Sequence, residues 1–327
     1  MSARVRAGLL LGGMVLLGGL ALQTAGLVGL GRLPVVAALV APRGAETAVL
    51  LLAAALLLLV AIGRRLRPVA LPVAAALLIA GVVGLVPAAA RGWTAESAGP
   101  PRAGTVRVLS WNINGDLVPP STIARLAARE HADLVVLPQI APEEHGAAYL
   151  PAFRSAGLPV TAAPPIGTGP RATVVLVATS AGRYRSDAPW PAAADSWVTV
   201  RPADPRLPVV VALHAAIPAA GGNAQWRAEM ARATLACRDP RTIVVGDFNG
   251  TIDDFGGPGL GGCRDAAAAR GAASLGTWPT ALPPVLAMPI DHVLVGRSWT
   301  VERFSVLTSE DRSGARHRPI LAVLAPR

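Results

Sequence analysis

The sequence predicts an α/β protein in two parts: apolar helices at the N-terminus, then two packed sheets covered by helices. Three observations predict it. Before residue 91 lie three nearly uncharged apolar runs. After residue 105 the pattern changes to short runs rich in valine, isoleucine and leucine, separated by turns and a few helical stretches. Polar residues then cluster where several of these short runs stop, as they do in a site built at the ends of buried strands.

Taken in order, residues 7–31 are long enough to span a hydrocarbon core of about 30 Å. Residues 47–63 form a shorter, leucine-rich run, and residues 69–90 a long one interrupted by Pro72 and Pro87. Together they read as a membrane domain over residues 1–90 with about three transmembrane helices. A cleaved signal peptide over residues 1–24, followed by two helices, is the alternative that Arg4 and Arg6 permit. A soluble helical core is disfavoured, because these segments lack a polar face. Residues 91–104, with their Gly and Pro, read as a linker.

Residues 105–327 form the second domain. Strands are expected over 106–111, 134–138, 173–178, 197–201, 208–214, 242–246, 290–295 and 319–324. A helix capped by Ser121 is expected over 121–131, and an amphipathic helix over 223–237. The glycine-rich segment 256–262 lacks the lysine of a phosphate loop and reads as a flexible surface loop.

The chain of 327 residues carries a formal net charge of +10 and no lysine. Nine arginines stand against two glutamates before residue 104, and 21 arginines against 18 acidic residues after it. The positive charge therefore belongs mainly to the membrane flanks, which argues against a nucleic-acid face. Arg4, Arg6, Arg64, Arg65 and Arg67 fall on one side of the expected spans, and Arg32, Arg43, Arg91 and Arg102 on the other. Positive-inside counting then favours a cytoplasmic N-terminus and an extracytoplasmic C-terminal domain in the cell membrane. In that compartment a disulfide between Cys237 and Cys263 is expected, two separately buried thiols being the alternative.

The richest stretch is Ile243-Val244-Val245-Gly246-Asp247-Phe248-Asn249-Gly250. The period of two in a strand puts Asp247 and Asn249 on one side, facing one site. A carboxylate beside a neutral amide suits divalent-metal chemistry on a phosphate. Four more polar fragments end apolar runs: Ser110-Trp111-Asn112-Ile113-Asn114, Leu137-Pro138-Gln139, Leu213-His214, and the pair Ile290-Asp291-His292 with Arg316-His317-Arg318-Pro319. Each alone has a structural explanation: turn chemistry for Trp-Asn, a core histidine for His214, a cap for Asp291.

Together, in this order, they resemble the endonuclease/exonuclease/phosphatase superfamily of DNase I-like metal-dependent phosphoesterases, over roughly residues 105–325. With the N-terminal helices, the resemblance is closest to membrane-anchored bacterial members similar to teicoplanin-resistance membrane proteins. Thr277-Trp278-Pro279 and Gln225-Trp226-Arg227 add to it. The resemblance implies a four-layer sandwich of two mostly antiparallel sheets flanked by helices, and an Mg2+ or Mn2+ cofactor. It implies roles for His317, Asp291, Asp247, Asn249 and His214 in catalysis, and for Asn112 and Asn114 at the substrate. Asp247, Asn112 and the position of Gln139 would face the metal. Asp291 would hydrogen-bond His317, which would activate water.

Two positions depart from the family pattern. Gln139 stands where the family has a metal-binding glutamate, and Arg316 where it has the aspartate of Ser-Asp-His. Both changes lower the expected metal affinity. Glu143 or Glu144 would have to reach in to compensate, and Arg316 is placed to bind substrate phosphate directly.

The expected function is a membrane-tethered phosphoesterase acting outside the cytoplasm. Its substrate would be a phosphorylated envelope lipid, a lipid carrier, a nucleotide or another small phosphoester. A catalytically weakened domain that binds such a ligand is the first alternative. A secreted-side nuclease is disfavoured by the low charge and few aromatics of the second domain.

Overall fold

The computed structural model of the chain describes residues 1–115, 117–140, 148–163, 171–187, 196–219, 222–255 and 259–327. Glu143, Glu144 and part of the 256–262 segment lie outside the described residues.

Among the described residues, three helices are long and apolar enough to cross a membrane: α1 (Ala3–Thr24), α3 (Arg43–Val60) and α4 (Arg67–Arg91). The short α2 (Pro34–Val40), opened by a proline at its first turn, joins α1 to α3. Pro72 and Pro87 lie inside α4 without ending it. α1 runs along α4, and its glycines permit the approach: a Cβ on Gly12 would come within 2.9 Å of the Pro72 carbonyl oxygen.

Among the described residues, the second part holds twelve strands in two six-stranded sheets. The first is ordered β11-β12-β1-β2-β4-β3. It contains β1 (Val106–Ser110), β2 (Leu134–Pro138), β3 (Val160–Ala163), β4 (Thr173–Ala178), β11 (Trp299–Val306) and β12 (Ile320–Pro326). The second is ordered β5-β6-β7-β8-β10-β9. It contains β5 (Tyr184–Ser186), β6 (Trp197–Pro202), β7 (Val209–His214), β8 (Thr242–Asp247), β9 (Arg264–Asp265) and β10 (Asp291–Val295). Each sheet has one parallel pair, β1–β2 or β7–β8, among antiparallel neighbours.

Alternation along the strands sorts the apolar side chains into layers. Val106, Val108, Val136 and Val175 meet Val200, Val210, Val245 and Val293 between the sheets. Leu109, Val135, Leu137 and Leu176 face outward, under α5 (Pro120–Arg129) and α6 (Tyr149–Ser155), against Ile123, Leu126 and Phe153. On the far side Val211, Leu213, Val244 and Leu294 pack under α7 (Asn223–Ala236) against Trp226 and Met230. A short α8 (Ala266–Ala269) closes one edge. The architecture is the expected four-layer DNase I-like sandwich. The central strands read as apolar runs because both of their faces are buried.

Some local expectations are corrected. Ser121 is not the cap of α5: the helix starts at Pro120, with Pro119 in the cap position, because a proline's fixed φ suits the first turn. β3, β5, β9, β11, α6 and α8 lacked a legible period, most being short or at sheet edges. Cys237 and Cys263 form a disulfide with a Cα–Cα distance of 5.2 Å, tying the end of α7 to the segment before β9.

Candidate functional site

The site lies where both sheets end on the same side. On β8, Asp247 is the last residue. Its in-register partners are His214, the last residue of parallel β7, and Asp291, the first of antiparallel β10. Gly246 precedes it because β7 passes too close for a side chain: a Cβ there would lie 1.9 Å from the Leu213 carbonyl oxygen, and φ is +141°.

The other sheet contributes Asn112 after β1 and His317 before β12, two strands paired through Ser110 and Ile320. The buried Trp111 joins these segments, its indole N–H donating to the His317 carbonyl at 2.9 Å. Asn112 Nδ2 then donates to Asp247 Oδ2 at 2.8 Å and bridges the two sheets.

The same turn follows β1 and β8. Asn112 Oδ1 accepts the Asn114 N–H, and Asp247 Oδ1 accepts the Asn249 N–H. Asn114 and Asn249 both adopt positive φ, 55° and 46°. These are Asx turns, which asparagine and aspartate form readily. They change the reason for one expectation: the strand stops at Asp247, so the Asx turn and not period two positions Asn249. Its Nδ2 donates to the Ala215 carbonyl at 2.9 Å.

Among the described residues, Asp247, Asp291 and His317 offer ligand atoms within 4.8 Å of one another, and all three are buried. His317 Nδ1 donates to Asp291 Oδ2 at 2.9 Å, leaving Nε2 turned toward Asp247 Oδ2 at 3.8 Å. His214 Nε2 lies 3.5 Å from the same oxygen. Burial, and then the Asp291 charge, raise the Asp247 carboxyl above its ordinary range. Burial works against a charged His317, but the carboxylates of Asp291 and Asp247 hold its pKa above the usual value. Burial lowers His214 to about 4, so at neutral pH it is an uncharged donor–acceptor.

These residues fit a divalent cation. Two buried carboxylates face each other across the β8–β10 pair, and Asp291 Oδ1 has no partner among the described residues. A hard cation would relieve that repulsion and occupy the oxygen.

The remaining expected positions sit at the margin. Gln139 follows β2 with φ 58°, its carbonyl accepting the Gly115 N–H at 2.7 Å. Its half-buried side chain makes no hydrogen bond among the described residues. The Arg316 side chain is exposed.

Several supporting residues had no role in the sequence reading, although Arg318, His292 and Thr277 stand in its fragments. Arg318 is buried and joins Asp311 to the Thr280 and Leu282 carbonyls, fixing the segment before His317. Glu229 of α7 accepts the Ala216 N–H and pairs with Arg171, which also donates to the His214 carbonyl. His292 alternates to the other face of β10 and binds Asp265 and the Gly250 carbonyl. Burial opposes its charge, but the Asp265 hydrogen bond leads the effects that raise its pKa. The Thr277 hydroxyl accepts the Ile290 and Asp291 N–H groups. The helix expected over 223–237 forms but is not amphipathic, since Asn223, Glu229 and Thr234 share its buried face with Trp226, Met230 and Ala233. The spacing of Glu229 three residues after Trp226 was the one available signal among these.

Comparison with known proteins agrees with this architecture. No significant match is found among functionally curated proteins. Among solved structures, TDP2 from C. elegans superposes with a TM-score of 0.51 at 17% identity, covering 68% of this chain and 75% of that one. D. rerio TDP2 complexed with a single-strand DNA product gives 0.50 at 15% identity, covering 67% and 98%. Both similarities are of fold. The family model described as "Endonuclease/Exonuclease/phosphatase family" matches residues 109–313, more than half of the chain, including β7, β8 and β10 with His214, Asp247 and Asp291, and ends before His317. The chain therefore belongs to the endonuclease/exonuclease/phosphatase family.

Proposed function

We propose that this protein is a membrane-tethered, divalent-metal-dependent phosphoesterase. Its substrate would be a phosphorylated lipid or another small phosphoester at the outer face of the cell membrane. The observation that carries the reading is the His317–Asp291 pair aimed at Asp247, with Asn112 and His214 converging on one Asp247 oxygen.

Asp247, Asp291 and Asn112 would hold the cation, Mg2+ or Mn2+. When bound, it would supply positive charge to offset the negative charge of the phosphate. The residues of the chain do the rest. His317 Nε2 takes a proton from the attacking water while Asp291 fixes its tautomer through Nδ1 and stabilises the imidazolium; the ester P–O bond breaks and the leaving oxygen takes a proton from solvent. Asp247 orients the water. Neutral His214 donates to a non-bridging phosphoryl oxygen as charge develops there. Asn112 and Asn249 each keep an amide hydrogen for the phosphate, because each amide spends one on a protein acceptor.

Proximity to the membrane supports a lipid-borne substrate. Asn249 is joined to Asp253, which contacts α3 and α4 through Arg43 and Arg91, by a stretch whose full extension is about 14 Å. The test is hydrolysis of a phosphodiester and a phosphomonoester, each presented free and on a lipid, with and without Mg2+ or Mn2+. A reporter enzyme active only outside the cytoplasm, fused after Arg327, tests the orientation. Silence there, with an active cytoplasmic reporter at the same point, rejects it.

Gln139 and Arg316 favour a second reading, a weakened enzyme that chiefly binds a phosphate-bearing ligand. Binding without turnover in the same assay would select it.

A further inference from the structure

A cavity of about 360 Å³ lies away from the catalytic cleft, between the domain-facing ends of α3 and α4 and the segment before β10. None of Asn112, His214, Asp247, Asn249, Asp291 or His317 lines it. Its walls are largely apolar, with Leu51 on α3, Leu85 on α4 and Leu286 from the second domain. One end is polar and holds Arg43, Thr47, Arg91 and Asp253.

That polar end is short of acceptors. Arg91 grips Asp253 with both terminal nitrogens, at 2.8 and 2.5 Å. Arg43 reaches the same carboxylate at 3.1 Å and also donates to the Gln23 carbonyl. The two arginines hold the Asp253 carboxyl below its ordinary range, against the effect of burial. Two guanidiniums against one carboxylate leave the lining with one net positive charge. Arg43 and Thr47 are 7% and 3% exposed, yet Arg43 Nε and Thr47 Oγ1 find no partner among the described residues. A buried donor left unpaired is costly, so a ligand that accepts from both groups would gain by entering. Gly84 of α4 lets the helix approach these polar groups, because a Cβ there would lie 2.6 Å from Thr47 Oγ1 and 2.5 Å from Gln23 Oε1.

We propose that this cavity binds an anionic phospholipid of the surrounding bilayer. The phosphate would accept hydrogen bonds from Arg43 Nε and Thr47 Oγ1 beside Arg91. An acyl chain would run along Leu51, Leu85 and Leu286. The positive lining and the two unpaired donors select an anion. The apolar walls, at the end of two membrane-length helices, select one that carries a chain. The lipid would wedge the helices against the second domain, next to the Asp253 contact, and would not be the molecule hydrolysed.

The test uses the full chain in uncharged detergent and native mass spectrometry. Dioctanoyl phosphatidylglycerol, dioctanoyl phosphatidylcholine and inorganic phosphate are titrated separately. Phosphatidylglycerol should be retained at concentrations at least tenfold below phosphatidylcholine, and inorganic phosphate should not be retained. Thr47→Val removes one hydrogen bond with little change of shape and should weaken phosphatidylglycerol binding roughly fivefold. Ala48→Phe, at a lining position, should fill the cavity and abolish it. Equal retention of the two lipids, or unchanged phosphatidylglycerol binding in Thr47→Val, overturns the proposal. Retention of inorganic phosphate as tight as that of the lipid overturns the lipid assignment. These readouts do not involve turnover, so they stand apart from the phosphoesterase reading.

Discussion

The His317 imidazole donates from Nδ1 to Asp291 across the gap between the two sheets, at 2.9 Å. Neither partner is held by the other's strand. Thr277 and β8 fix Asp291, while Trp111 and Arg318 fix the segment carrying His317. Removing either partner leaves the imidazole absent or without a fixed tautomer. His317→Ala and Asp291→Ala should each lower turnover by about 10²–10⁴-fold, the range for a lost general base. The double variant should be little worse than the worse single one. Additive losses in the kinetic cycle would show that the two act separately.

The Cys237–Cys263 bridge closes a loop with a sequence separation of 26 that contains the Asp247 turn. Replacing both cysteines by alanine should lower stability by roughly 3 kcal/mol. Chemical denaturation measures it. Alkylation of the unreduced protein should label no thiol, and two freely labelled thiols would refute the bridge.

Asp254 supplies a pH dependence. Burial raises its carboxyl to about 7, from an unfolded value of 3.8. Between those values the folded chain holds a proton that the unfolded chain has released, so this group's contribution is full below pH 3.8 and is lost as pH rises through 7. The loss reaches about 4 kcal/mol at most. Asp254→Asn keeps an acceptor for the Thr251 N–H and hydroxyl, both of which Asp254 Oδ2 now accepts. The variant should therefore gain in thermal midpoint relative to wild type between pH 5 and pH 8. A constant difference across that range would contradict the shift.

The central strands and the polar residues at their ends were legible in the sequence, because burial on both faces makes them plain apolar runs that stop at a charge. The edges were not: β5 and β9 carry too few residues for a period. Asn249 shows the limit of pattern reading at the site. Period two holds within a strand, and the Asx turn at Asp247 ends the strand two residues before Asn249. Arg318 and Glu229 were obscured for a different reason. Their roles rest on groups brought close by the fold, the Thr280 and Leu282 carbonyls for Arg318, the Ala216 N–H and Arg171 for Glu229, which no local motif announces.

Gln139 stands at the end of β2, where the family pattern places a carboxylate. Gln139→Glu adds a hard anionic donor and should tighten binding of Mg2+ or Mn2+ and raise turnover. Arg316→Asp should act in the same direction but less, because that side chain is exposed. Isothermal titration with each metal reads the change. No gain in affinity for Gln139→Glu would mean that its carboxylate does not reach the cation.

The most direct test is turnover of a phosphodiester by the full-length protein in detergent, after chelation and then after Mg2+ or Mn2+ is restored, in parallel with Asp247→Asn. Asp247 is the group on which both sheets converge, so the substitution removes the shared anionic centre while keeping its shape. The expected result is hydrolysis by the wild type that disappears on chelation and returns with metal, with Asp247→Asn inactive throughout. Wild-type hydrolysis that survives chelation, or an Asp247→Asn variant as active as wild type, would contradict a metal-dependent phosphoesterase centred on Asp247.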